Sequence, residues 1–102
     1  MKTLNDVRAQ LAAGAFEFSE HAFIRAVERN VSEEEIKETG AEAVIVEEYL
    51  DDKYGPSMLI LGFTLMGRPL HLQVSLADTP LVKIVTLYEP DSDEWWGHTQ
   101  RR

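Results

Sequence analysis

From Tyr54 to Ser75 the chain reads Y-G-P-S-M-L-I-L-G-F-T-L-M-G-R-P-L-H-L-Q-V-S, a pattern that few folds accommodate. The first part, about Met58 to Leu65, is apolar at nearly every position, as expected of a strand covered on both faces. Met66-Gly67-Arg68-Pro69 is a turn, with Gly67 free to take positive φ. The second strand then alternates strictly. Leu70, Leu72, Val74 and Leu76 point one way; His71, Gln73 and Ser75 point the other. This hairpin predicts a buried centre and a row of polar side chains beginning beside Arg68. That row is the first candidate for a functional surface, and both Arg68 and His71 are expected at the surface.

The segments around the hairpin place it in an α+β domain. Thr3 with Asp6 three residues on is a capping-box-like start for a helix carrying Leu4, Val7 and Leu11, stopped at Gly14. Phe16-Glu17-Phe18 suits a small edge strand. Ser19 is an N-cap for a second helix running to about Arg29, and Ser32 with Glu35 opens a short third helix ending at Gly40. A strand over Ala43 to Leu50 follows, its Glu47-Glu48 pair marking an exposed edge. After the hairpin, Leu81 to Tyr88 is the last strand. The prediction is two or three N-terminal helices packed on a four-stranded antiparallel sheet.

The second helix has two distinct faces at 100° per residue. Ala22, Phe23, Ala26 and Val27 cluster on one side and are expected to pack on the sheet. His21, Arg25 and Glu28 lie opposite, with Arg29 at the flank. An Arg25–Glu28 pair would add a few tenths of a kcal/mol on a solvated face. His21 stands beside the N-cap, where the positive helix end favours a neutral imidazole in a base or hydrogen-bonding role.

With 102 residues, 44% of them hydrophobic, the chain has material for a single domain. Its core is placed at about residues 16–90 and its tail at 91–102. It has no cysteine, so disulfides and thiolate metal sites are excluded. His21, His71 and His98 lack a metal-binding spacing, and no cofactor motif is present, so neither metal nor cofactor is expected. No apolar run spans a bilayer and the first residues lack a signal peptide's apolar region, which makes the cytoplasm the expected location and a membrane partner unexpected. The net charge of −8 argues against bulk attraction to nucleic acid. Acids crowd the segment Glu28 to Asp52, however, while Lys53 to Tyr88 carries only Asp78 against Lys53, Arg68 and Lys83. The sheet is therefore either neutral or locally cationic.

His21, Arg25, Tyr54, Arg68, His71, Gln73, Thr86 and Tyr88 form a diffuse polar set of the kind metal-independent RNA cleavage needs. That reaction takes a base for the 2′-hydroxyl proton, a cation for the phosphorane charge and an acid for the leaving oxygen. Imidazole, guanidinium and phenol supply those roles. Each residue also has a plain structural alternative, as a sheet aromatic, a turn arginine or a solvated strand histidine. Trp95-Trp96 in the acidic tail either stacks on RNA bases or, as aromatic pairs more often do, packs on its own domain or anchors a partner.

The segments F-S-E-H-A-F-I-R-A-V-E-R-N-V-S-E-E-E-I, Y-G-P-S-M-L-I-L-G, G-R-P-L-H and I-V-T-L-Y-E-P-D-S-D-E-W resemble a bacterial and archaeal family known only as a domain of unknown function. The resemblance covers about Phe18 to Trp96. That family looks similar to the RelE/ParE-like toxin superfamily, including the BrnT and MqsR types, through its order of helices followed by an antiparallel sheet. The resemblance implies a small ribonuclease of a toxin–antitoxin system, acting on mRNA at the ribosome without metal and neutralised by an antitoxin protein. It implies His71, Arg68, His21 and Tyr88 as catalytic residues and Arg25, Tyr54 and Gln73 as substrate-binding residues. RelE-type toxins are usually basic, and this chain departs from them at −8. The competing readings are a non-catalytic interaction module, pairing through a sheet edge or the Trp-bearing tail, and a small-ligand-binding domain. RNA or a ribosome, an antitoxin and a second copy of the chain are the expected partners.

Overall fold

A computed structural model describes residues 1–102. Each helix starts where a side chain satisfies its otherwise unpaired amides. Thr3 Oγ1 accepts from the Asp6 amide at 3.1 Å, and the Asp6 carboxylate accepts from the Thr3 amide at 2.8 Å, opening α1 (Leu4–Ala12). Ser19 accepts from the Ala22 amide at 3.0 Å and opens α2 (Glu20–Arg29), which ends on Asn30 in the left-handed region at φ 55°. Ser32 and Glu35 form the second capping box, at the start of α3 (Glu33–Ala41).

The strands are β1 (Phe16–Phe18), β2 (Val44–Tyr49), β3 (Ser57–Phe63), β4 (Pro69–Ser75) and β5 (Val82–Tyr88), in the order β1-β5-β4-β3-β2. The expected antiparallel meander is present over β2 to β5. The sheet nevertheless has five strands rather than four, and it is mixed. Phe16–Phe18 pairs in parallel with β5, from Phe16 opposite Val82 to Phe18 opposite Ile84. Three residues are too few for alternation to show, and their partner lies near the other end of the chain.

One sheet face is apolar and carries the helices. Ile60, Leu70, Leu72, Val74, Val82, Ile84 and Leu87 meet Val7, Leu11, Ala22 and Ile36 there, all of them 0% exposed. Each leucine, isoleucine or valine among them contributes roughly 1.5–3 kcal/mol by leaving water. Gly62 in β3 lets α3 approach closely, since a Cβ there would fall 2.0 Å from the Thr39 carbonyl oxygen. On α2 the expected packing face is only half right. Ala22 and Ala26 are buried against the sheet, but Phe23 and Val27 are 57% and 67% exposed. The small residues draw the helix axis close to β5, and that turns the larger neighbours outward.

The other face sets the buried Leu59 and Leu61 beside the polar His71 and Gln73, and the tail covers its His71 end. Residues 95–101 fold into a short hairpin of β6 (Trp95–Trp96) and β7 (Gln100–Arg101), with Gly97 and His98 at positive φ in its turn. Trp95 is buried on the sheet, as expected of a tail that docks on its own domain. Trp96 stays largely exposed beneath the Arg102 guanidinium, 3.4 Å from its ring centroid. No helix is long and apolar enough to cross a membrane.

Candidate functional site at the end of the fifth strand

β1 stops at Phe18, so the Thr86–Tyr88 end of β5 has no strand beside it on that edge. The chain instead turns into α2, where the Ser19 hydroxyl donates to the Val85 carbonyl at 2.8 Å. A cleft of about 320 Å³ opens there. Arg25 and Arg29 come from α2, Thr86 and Tyr88 from β5, and Glu89, Asp91 and Glu94 from the segment leading to the tail. Arg25 also lies 3.7 Å from Glu28.

Behind Tyr88 lies His71, its cross-strand neighbour on the tail-covered face. His71 Nε2 is 2.6 Å from the His98 carbonyl oxygen, and Nδ1 is 3.2 Å from the Tyr88 hydroxyl. A carbonyl only accepts, so the proton of the neutral ring sits on Nε2, and Nδ1 is left to accept from the Tyr88 O–H. Burial pushes the imidazole below its ordinary value, against the His98 hydrogen bond, which favours the cation. Burial likewise holds the Tyr88 phenol above its usual range, and therefore protonated. Trp95 closes the pocket edge-on to His71, with centroids 4.6 Å apart. Carbonyl, imidazole and phenol form one hydrogen-bonded line leading to a residue of the cleft wall.

A second network secures the roof. Arg101 donates to both Glu47 carboxylate oxygens, at 2.8 and 3.0 Å, and its guanidinium lies over the Trp95 ring at 4.6 Å. Tyr49 donates to the same carboxylate. Arg101 above all, then Tyr49, holds Glu47 below the usual carboxylate range.

The structure divides the residues predicted from sequence. It brings Arg25, Tyr88, His71 and Thr86 together. Arg68 does not line the cleft, though it bonds to two residues that do: it donates to the Arg29 and Asn30 carbonyls at 2.6 and 3.1 Å and pairs with Glu35 and Glu89. Those bonds close the C-terminus of α2 and raise the guanidinium above its ordinary value, through Glu89 first. The expected shared face of Arg68 and His71 is therefore corrected, and the reason is parity: three positions along a strand reverse the side-chain direction. His71 is also 0% exposed rather than at the surface, because the tail covers it. His21 is exposed on α2 and does not line the cleft. Tyr54 is 87% exposed in the β2–β3 loop with Lys53 over its ring, and it shares a shallow depression with Gln73, which donates to Ser57 Oγ at 3.1 Å. Arg29 and Glu47 were not singled out. Arg29 had a signal, its i,i+4 spacing from Arg25. The Glu47–Arg101 link had none, since nothing local ties the two. No group of three His, Asp or Glu side chains is placed to hold a metal ion.

Residues 18–89 match the family described as Domain of unknown function (DUF4258). The chain belongs to that family. Neither a curated protein nor a solved structure matches it. The DUF4258 segment contains Arg25, Arg29, His71, Tyr88 and Glu89, whereas Trp95, His98 and Arg101, which roof His71, lie beyond it.

Proposed function

We propose that this DUF4258 chain is a toxin-like, RNA-directed domain and that the cleft takes one ribonucleotide unit for metal-independent cleavage. The observation that carries this reading is the His98 carbonyl–His71–Tyr88 line ending beside two arginines. Arg25 and Arg29 bind the phosphate, and guanidinium is suited to its oxygens. Asp91 and Glu94 accept from ribose or base donors. The 2′-oxygen attacks phosphorus and passes its proton to the Tyr88 oxygen, while the Tyr88 proton moves to His71 Nδ1. The bond to the 5′-oxygen breaks, and that oxygen takes a proton from water. The products are a 2′,3′-cyclic phosphate and a 5′-hydroxyl, and Tyr88 and His71 return their extra proton to solvent. The order of elements, helices followed by a β2–β5 meander, supports a RelE/ParE-like relationship, and with it an antitoxin partner.

The test is incubation of the purified chain with RNA, alone and with translating ribosomes, together with growth after induced expression. Wild type should cleave and arrest growth. Tyr88→Phe, which keeps the ring packing, should lose about 10²-fold or more in rate. Arg25→Ala with Arg29→Ala should lose about as much through the phosphate. If wild type neither cleaves RNA nor slows growth, the ribonuclease reading fails.

The second reading, a non-catalytic interaction module, is favoured by one observation: α2 turns its largest apolar side chains to solvent. The tail is a poorer partner surface, because Trp95 is spent inside the molecule and only Trp96 remains.

A further inference from the structure

α2 distributes its residues in an unusual way. Its alanines face the sheet, and Phe23, Ile24 and Val27 are 57%, 47% and 67% exposed. With Glu20 at one end, these side chains follow the spacing i, i+3, i+4, i+7, one stripe along the helix. Beside the stripe runs a groove of about 340 Å³ between α2 and the start of α3, floored by Phe18, Ala26 and Val31 and walled by Phe23 and Val27. Phe18 meets Phe23 edge-to-face at 6.3 Å, so the apolar surface continues from the stripe into the groove. A contiguous apolar surface of this kind on a small chain marks a place where something docks.

The charges around it select the occupant. Glu33 lines the groove, Glu20 ends the stripe, and Glu34 projects from the same first turn of α3, its side chain 73% exposed and 3.8 Å from Lys37. The cations of α2 lie elsewhere: Arg25 and Arg29 line the nucleotide cleft on the other side of the helix. A second copy of this chain would bring acidic rim against acidic rim at a net charge of −8 each. We infer that this groove and stripe dock a protein partner through a basic amphipathic helix, its apolar side chains against Phe18, Phe23 and Val27 and its lysines or arginines over Glu20 and Glu33. Helix-in-groove recognition reads the same i, i+3, i+4, i+7 pattern on the incoming segment. The surface deepens the interaction-module reading and rests on no catalytic step, so it stands or falls separately from RNA cleavage.

The experiment uses the full chain, without RNA, and a fluorescein-labelled Leu/Lys peptide of about 18 residues patterned as an amphipathic helix. Three comparisons are made by anisotropy. Phe23→Ser with Val27→Ser, both on exposed positions, should weaken binding by about tenfold or more. Glu33→Lys, which leaves the apolar surface intact, should weaken it several-fold and flatten its salt dependence. A Leu/Glu peptide of the same pattern should not bind. Equal binding by the double variant, equal binding of the Leu/Glu peptide, or no binding of the Leu/Lys peptide by wild type would overturn the inference. A wild-type dimer at micromolar concentration that the double variant abolishes would overturn it too, in favour of self-association.

Discussion

The two faces of the five-stranded sheet are buried by different means. The helix face is closed by three elements that bring leucine, isoleucine and valine to a continuous core. The tail face holds two buried leucines, Leu59 and Leu61, and is closed over His71 by one tryptophan and a set of directional bonds: His71 to the His98 carbonyl, Arg101 to Glu47, and the Arg102 amide to the Glu94 carbonyl at 2.9 Å. Apolar burial is non-directional and adds up over area, so the first face sets global stability. Directional bonds hold particular atoms at particular distances and add little net energy, so the second face sets geometry. The proposed proton path lies on the second face and is precise without being strongly held. Local opening should start there.

The comparison breaks if, for the size of the side chain removed, truncation on the helix face is no more costly than truncation on the tail face. Leu72→Ala should lower unfolding free energy by about 2–5 kcal/mol in a urea titration, because Leu72 is 0% exposed at the sheet centre. Trp95→Ala should cost less for its size, about 3 kcal/mol, at the low end for a buried tryptophan, since part of its cover is the Arg101 side chain rather than core. Its larger effect should be local, with faster amide exchange in residues 95–101 at unchanged protection in β3 and β4. Equal loss of protection across the sheet would show one cooperative unit.

A smaller effect separates the faces by pH. Burial lowers the folded-state pKa of His71, so the unfolded chain binds the proton more readily. Stability from this group is complete above its ordinary value of about 6.5 and declines as pH falls below it toward the folded value. Trp95→Ala, by hydrating the ring, should flatten that slope in a series of melts; an unchanged slope would mean that the tail does not control it. Last, Trp96→Ala should stay within about 0.5 kcal/mol of wild type, as expected of an exposed residue outside the packed face.

What the sequence revealed follows how far each signal reaches along the chain. The caps at Thr3, Ser19 and Ser32 act over three residues and were visible as such. The alternation of Leu70 to Leu76 also placed its leucines and Val74 correctly on the helix face. The fate of His71 depended on Trp95, His98 and Arg101, which only folding brings over it. The tryptophan pair was a visible sign that something is covered, but alternation cannot say what. Helical periodicity grouped Phe23 and Val27 with Ala22 and Ala26 because a broad arc contains all four; it carries no measure of how closely the axis approaches the sheet. Arg68 and His71 were legible and misread, for their spacing already places them on opposite sides of a strand.

The parallel pairing of Phe16–Phe18 with Val82–Ile84 has a kinetic consequence. It joins segments separated by most of the chain, so its loop-closure cost falls due only after the β2–β5 meander has formed. During synthesis the first helix and first strand leave the ribosome well before their partner exists, and Phe16 and Phe18 wait unpaired. The meander is therefore expected to assemble first, and docking of the N-terminal segment along β5 to be the last slow step. The cleft beside Tyr88 lies just past the end of that final pairing, so it matures only when an early-made segment meets one made much later.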